Sequence, residues 1–260
     1  MFKNFIKNKQ IKFIENPKNE FKKLNFIELW KKNEISNFDF INLLNKFSSR
    51  SFNDLTQYPI FPWLFNNYKN IFDLNTISKE NLRLFEFPIS AQNEKNRSII
   101  SNRFNDLKYH HQIHYSTEAI VLFYLVRISP FTENQILFQS NSFDNPDRLF
   151  ISFNDVFNIL ENFNDNRELI PEIFYLIEMY YNINLCFFGQ KQNKEIVNNI
   201  KFPEKIFNAS FFIYFCRLAL ESDLISEEIN KWINNVFGVN QNNNENLNVF
   251  FLAKLRRNFR

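Results

Sequence analysis

Two glycines, Gly189 and Gly238, serve a chain of 260 residues, where average usage of about 7% would supply roughly 18. A chain so short of glycine must turn its backbone with other residues, and asparagine or serine is the cheapest replacement, because Asn tolerates the left-handed region better than most side chains. It also cannot build a Gly-rich phosphate loop, and GxSxG is absent, which disfavours a nucleotide enzyme of ordinary type. The missing glycine is matched by Phe, Asn, Lys and Ile, all with AT-rich codons. Phe alone contributes 35 residues, so the interior is expected to be aromatic.

Hydrophobic residues make up 45% of the chain and charged residues 23%, ample for one large packed domain and without a disorder signature. No apolar run approaches the roughly 18–20 residues that span a bilayer, and no signal-peptide core is present. The expectation is a cytoplasmic protein, or one peripheral to membranes. Net charge is only +3, which argues against bulk nucleic-acid binding, but both ends are basic. Lys3, Lys7, Lys9 and Lys12 precede the first acid, Glu15, and Lys254, Arg256, Arg257 and Arg260 close the chain. These ends are either solvated or contact anionic lipid or an acidic partner. An organelle transit peptide fits the N-terminal stretch less well, since it lacks Arg and Ser.

Helical spacing and capping residues recur. "SNFDFINLLNKF" places Ser36 as a cap, with Phe40, Leu43, Leu44 and Phe47 on one face. "STEAIVLFYLVRISP" starts at Ser116 or Thr117 and is apolar all round, as a buried central helix would be. Thr132 with Gln135, and Ser152 with Asp155, read as further capping pairs, and Pro171 suits the first turn of a helix in "PEIFYLIEMYY". In "SEEINKWINNVFG", Ser226 is the expected cap, Ile229, Trp232, Ile233 and Val236 share a face, and Gly238 is the stop. "PWLF" and "INLCFF" are the best strand signals. The fold class is therefore mostly α with a few short strands. Residues 48–64 and 93–114 show no period yet are rich in aromatics, so they are expected to be irregular but packed. Arg, Asn, Asp and Gln would then supply partners for their buried backbone groups.

Candidate chemistry is sparse. His110, His111 and His114 cluster, and a helix would put His110 and His114 on one side. Without a nearby Cys, an HExxH motif or a fourth ligand in register, no metal site or cofactor is assigned, and hydrogen-bonded histidines at the start of the buried helix are expected instead. Cys186 and Cys216 sit in apolar runs and read as buried thiols. Asp54, Asp147, and Glu221 with Asp223 stand in apolar settings near Arg50, Arg148 and Arg217, a pattern of structural ion pairs.

Taken together, these segments resemble the BEACH domain of neurobeachin-type trafficking proteins. "WKKNEISNFDFINLLNKFSSRSFNDLTQYPIFPWLF", Trp30 to Phe65, is similar to that family's most distinctive stretch. "HYSTEAIVLFYLVRISPFT", "FDNPDRLF", "ELIPEIFYL", "ALESD", "WINNVFG" and "NVF" follow in family order. The residues that carry the likeness are Trp30, Asn37, Arg50, Phe52, Asn53, Asp54, Tyr58, Pro59, Pro62, Trp63, His114, Tyr115, Asp147, Arg148, Pro171, Glu221 and Trp232. Where the family has glycine, this chain has Asn33, Ser49, His111 or its neighbours, and Ser140 to Ser142, so its turns there are expected to differ.

The resemblance implies a BEACH-like globular domain over 21–250, flanked by a basic extension (1–20) and a basic tail (251–260), with much irregular buried backbone and no catalytic residues. It implies a scaffold in vesicle trafficking, membrane dynamics or autophagy, or alternatively a fixed subunit of a large assembly. The family usually carries a pleckstrin-homology-like domain before this module and WD40 repeats after it. Twenty residues are too few for the former, so partners are expected in trans: such a domain, neighbouring subunits or an anionic membrane.

Overall fold

The computed structural model describes residues 15–68, 77–141, 143, 149–160, 162–203 and 206–251. Lys3, Lys7, Lys9, Lys12, Asp147, Arg148, Arg256, Arg257 and Arg260 lie outside the described residues. The order along the chain is α1 (Pro17–Lys23), α2 (Phe26–Lys31), α3 (Asn37–Phe47), α4 (Glu94–Leu107), α5 (Glu118–Leu125), α6 (Phe131–Phe138), α7 (Phe153–Leu160), α8 (Ala209–Leu220) and α9 (Asp223–Val236), with short 3-10 turns between. Among the described residues, β pairing is limited to isolated bridges, such as Phe61 with Leu169 and Phe65 with Leu82.

Ser36 caps α3 as its sequence predicts, accepting the Asp39 amide, and Ser152 does the same for Asp155 at α7. The face of α3 is rotated from the expected one. Its fully buried residues are Asn37, Phe40, Ile41 and Asn45, while Phe47 is covered by Phe21 and Phe26 of α1 and α2. Thr117 starts α5, but that helix is buried only along Ile120, Val121, Tyr124 and Leu125, and Ala119 is exposed.

Other expectations fail for local reasons. Thr132 lies inside α6, and its hydroxyl donates to the Val126 carbonyl. The cap of α9 is Ser222, one turn before Ser226, whose hydroxyl bonds the Ser222 carbonyl. Pro171 does begin a helical turn, but a 3-10 turn over Pro171–Phe174, and a second turn covers Ile177–Met179. Residues 93–114, expected to be irregular, hold the 14-residue helix α4, capped by Asn93. Its apolar period is absent because only Asn96 and Ile100 face the core. Helix α8 has no counterpart among the sequence expectations, although Asn208 caps it and Phe212, Phe215, Cys216, Ala219 and Leu220 are buried.

Left-handed backbone falls on non-glycine residues at Asn33 (φ 57), Ser49 (φ 63), Ser140 (φ 57) and Asn141 (φ 66). These are positions where the resemblance puts glycine, a residue that adopts this region freely. His111 itself is not among them, while Lys108, three residues earlier, is (φ 61). Gly189 is also left-handed (φ 85). Gly238 is required by crowding, since a Cβ there would lie 2.9 Å from the Asn234 Cα.

Candidate interaction surface and its buried anchor

Three of the family residues meet at one joint. The Trp30 indole donates to Asn37 Oδ1 at 2.6 Å, and Asn37 Nδ2 donates to the Leu220 carbonyl at 2.7 Å and to Ser226 Oγ at 2.8 Å. The Glu221 carboxylate accepts the amides of Asn37 and Phe38 at 2.7 and 3.1 Å. It thus fills the free donors at the start of α3, where the helix dipole also favours an anion. The predicted partner, Arg217, lies instead 3.7 Å over the Phe38 ring.

Residues 48–57 then run along the surface with little regular structure, and residues 58–65 enter the core. Asn45, buried on α3, takes the part of a missing strand: its amide donates to the Ile60 carbonyl and accepts from the Ile60 amide, both at 2.9 Å. Arg50 donates from Nη1 to the Tyr58 carbonyl at 2.9 Å. The Tyr58 hydroxyl reaches Glu172 at 2.5 Å, a carboxyl that burial pushes above its ordinary pKa. Asp54 does not pair with Arg50. It is exposed and accepts the Thr56 amide and hydroxyl at 2.9 and 2.7 Å, which hold its pKa below the usual carboxylate range. Asn53 and Phe52 are exposed too, while Pro59, Pro62 and Trp63 are buried.

At the end of this segment stands a polar anchor absent from the predicted residues. Arg83 and Glu168, both fully buried, pair at 2.8 and 3.0 Å. Glu168 also accepts the Trp63 amide and the Trp232 indole, each at 3.1 Å, and the Trp63 indole donates to the Arg167 carbonyl at 2.8 Å. Burial raises the Glu168 pKa, and the Arg83 charge is the largest effect opposing it. The available signals were faint: a carboxylate just before the apolar run of "ELIPEIF", and an arginine alternating with apolar residues in "LRLFEF".

The histidines form no helix side. His110 lies at a bend and His111 in an isolated bridge to Phe250, both with no exposed surface. His110 Nδ1 accepts the Val249 amide at 3.1 Å, and His111 Nε2 donates to the Leu247 carbonyl at 2.7 Å. His114 is exposed and rests on Phe250, with ring centres 4.6 Å apart, while the Tyr115 hydroxyl bonds Asn248. The cluster therefore fastens residues 247–251 to the body of the fold. Among the described residues, no group of His, Cys, Asp and Glu is arranged to hold a metal ion. Cys216 is buried as expected, and Cys186 only half-buried.

The pattern is a mostly helical fold with irregular buried chain held by side-chain amides, carboxylates and indoles, as the resemblance implies. The sequence model of the Beige/BEACH domain matches residues 28–257, and the chain belongs to that family. A protein described as a neurobeachin homolog in Caenorhabditis briggsae is 38% identical over 246 residues, covering 90% of this chain and 10% of that protein. The BEACH domain-containing protein lvsD of Dictyostelium discoideum is 37% identical over 241 residues (88% and 8%), and Beige protein homolog 1 of Schizosaccharomyces pombe 37% over 229 (83% and 9%). The chain thus spans about a tenth of the length of these relatives.

Proposed function

We propose that this chain is a non-catalytic protein-interaction scaffold acting in vesicle trafficking or membrane dynamics, autophagy included. The observation that carries this reading is how the motif's polar groups are used. Glu168, Glu221, Asn37, Asn45 and Arg50 each spend hydrogen-bonding atoms on backbone groups, as parts that fix a shape do. Partners in this reading are proteins, including a pleckstrin-homology-like or WD40 domain supplied in trans. The basic ends, with Lys3, Lys7, Lys9, Lys12, Arg256, Arg257 and Arg260, touch anionic membrane from the cytoplasmic side. No helix among the described residues is long and apolar enough to cross a membrane.

A second reading, a fixed subunit of a large assembly, is favoured by large apolar side chains left bare at the surface. Phe138, Leu185 and Phe207 are each more than four-fifths exposed. Isolation from native cells at low and high salt separates the two, because electrostatic attachment weakens with screening and a wide buried interface survives. The scaffold reading expects trafficking proteins to co-migrate and to be lost as salt rises. Salt-stable, stoichiometric migration within one complex would overturn it in favour of the second.

A further inference from the structure

A groove of about 500 Å3 opens where the last turn of α3 meets residues 50–53. Its apolar walls are Phe38, Phe52, Pro59 and Tyr175, and two of these aromatics are about half exposed: Phe52 50% and Tyr175 47%. Its charges are Lys46 and Arg50, and no acid is among the described residues that line it. Other grooves carry both signs. Asp165 faces Arg167 in the one along α5, and Lys31 accompanies Asp223 and Glu227 in the one between α2 and α9.

The charge of Arg50 is uncompensated for a structural reason. The nearest acid in sequence, Asp54, is turned to Thr56, leaving a half-buried guanidinium with one donor on the Tyr58 carbonyl. Burial without a facing carboxylate lowers its pKa to about 10. A guanidinium in this condition presents its remaining N–H fork to a planar anion, for which bidentate pairing is the strong geometry. The loop bearing it is already ordered: the Ser51 amide donates to the Gln57 carbonyl at 2.9 Å, the Asp54 amide to the Ser51 carbonyl at 3.1 Å, and the Asn53 amide to Ser51 Oγ at 3.2 Å. Little ordering entropy remains to be lost on binding.

We propose that this groove docks a short acidic peptide segment of a partner, with a carboxylate on Arg50 and Lys46 and a neighbouring aromatic or aliphatic side chain between Phe52 and Tyr175. The inference rests on the scaffold reading and names the chemistry of its partner. The concave shape and bare aromatics favour a peptide over a flat lipid surface.

Fluorescence polarisation with three labelled synthetic peptides tests it: one of Asp and Glu around a single Phe, one with Asn and Gln for the acids, and one with Ala for the Phe. The first should bind saturably and the others at least about tenfold more weakly. Arg50 helps to hold the fold, so the first variant is Lys46→Glu, at an exposed position. It should weaken the acidic peptide about tenfold, while Lys95→Glu on α4, also exposed, should leave it unchanged. Arg50→Lys, checked for folding by circular dichroism, should weaken it through loss of the fork alone. Equal binding of all three peptides, equal loss in Lys46→Glu and Lys95→Glu, or preference for phosphatidylserine vesicles that the peptide cannot displace would each overturn the proposal. Absence of peptide binding in a chain that still co-migrates with trafficking proteins would remove the groove and keep the scaffold. Saturable binding by a chain that runs alone in native extracts would do the reverse.

Discussion

Arg83 and Arg50 stand on either side of the buried stretch 58–65 in the sequence and have opposite surroundings. Arg83 is fully buried and pairs through two contacts with Glu168, itself bonded to two tryptophans. Arg50 is half-buried and meets a single carbonyl. A buried charge with its counter-charge is a closed unit whose removal leaves the other charge stranded, whereas a charge lacking one can still take a ligand. The same residue type thus serves as a fixed anchor in one place and as an available contact in the other.

The largest expected effect comes from opening the anchor. Glu168→Ala leaves Arg83 charged and buried, and should cost about 3–5 kcal/mol in urea unfolding, enough to unfold much of the protein at ordinary temperature. A loss under about 1 kcal/mol would erase the contrast between the two arginines.

Acid should next act on the histidines. Burial lowers His111 to about 3 and His110 to about 4, below the unfolded value near ~6.5. The unfolded chain therefore takes up protons first as pH falls. The stabilising effect of neutral histidine is complete above about pH 6.5 and is lost on the way down to the folded values, at about 1.4 kcal/mol per pH unit for His111. His110 acts in the same direction. His111→Gln should flatten unfolding free energy measured between about pH 6 and 4; an unchanged slope would assign the acid sensitivity elsewhere.

Arg50→Ala strands the Tyr58 carbonyl and should cost about 1–3 kcal/mol, clearly less than Glu168→Ala in the same assay. An equal cost would make Arg50 an anchor as well. The smallest effect belongs to Asp54→Ala. That side chain caps an exposed turn and bonds only Thr56 and its neighbours, so the thermal melt should shift least of the set. A shift matching that of Arg50→Ala would restore the ion pair that spacing suggested.

The caps show where sequence is readable. Ser36 and Ser152 are legible because a hydroxyl three residues from its amide is a local relation. Ser226 misled because Ser222 offers the same device one turn earlier, and only the docking of α9 leaves Ser226 to meet Asn37. Helix α4 was hidden because it buries two residues of its fourteen and shows no period. In the motif, Trp30, Asn37 and Glu221 could be picked out as family positions, but their meeting could not, since Glu221 lies 184 residues from Asn37.

By itself the sequence determined the mostly helical class, the family likeness and, at positions such as Asn33 and Ser49, the use of Asn and Ser where the backbone turns left-handed, although Lys108, Leu185, Lys194 and Leu247 do so as well. These depend on side-chain period and on the φ preference of single residues, both of which act within a few positions of the chain. Tertiary structure alone decided which charge finds a partner. Glu168 answers an arginine 85 residues away and a tryptophan 64 residues away, while Arg50 passes over an acid four residues off. A buried charge is settled by whatever packing brings within about 4 Å, and nearness in sequence does not fix that distance.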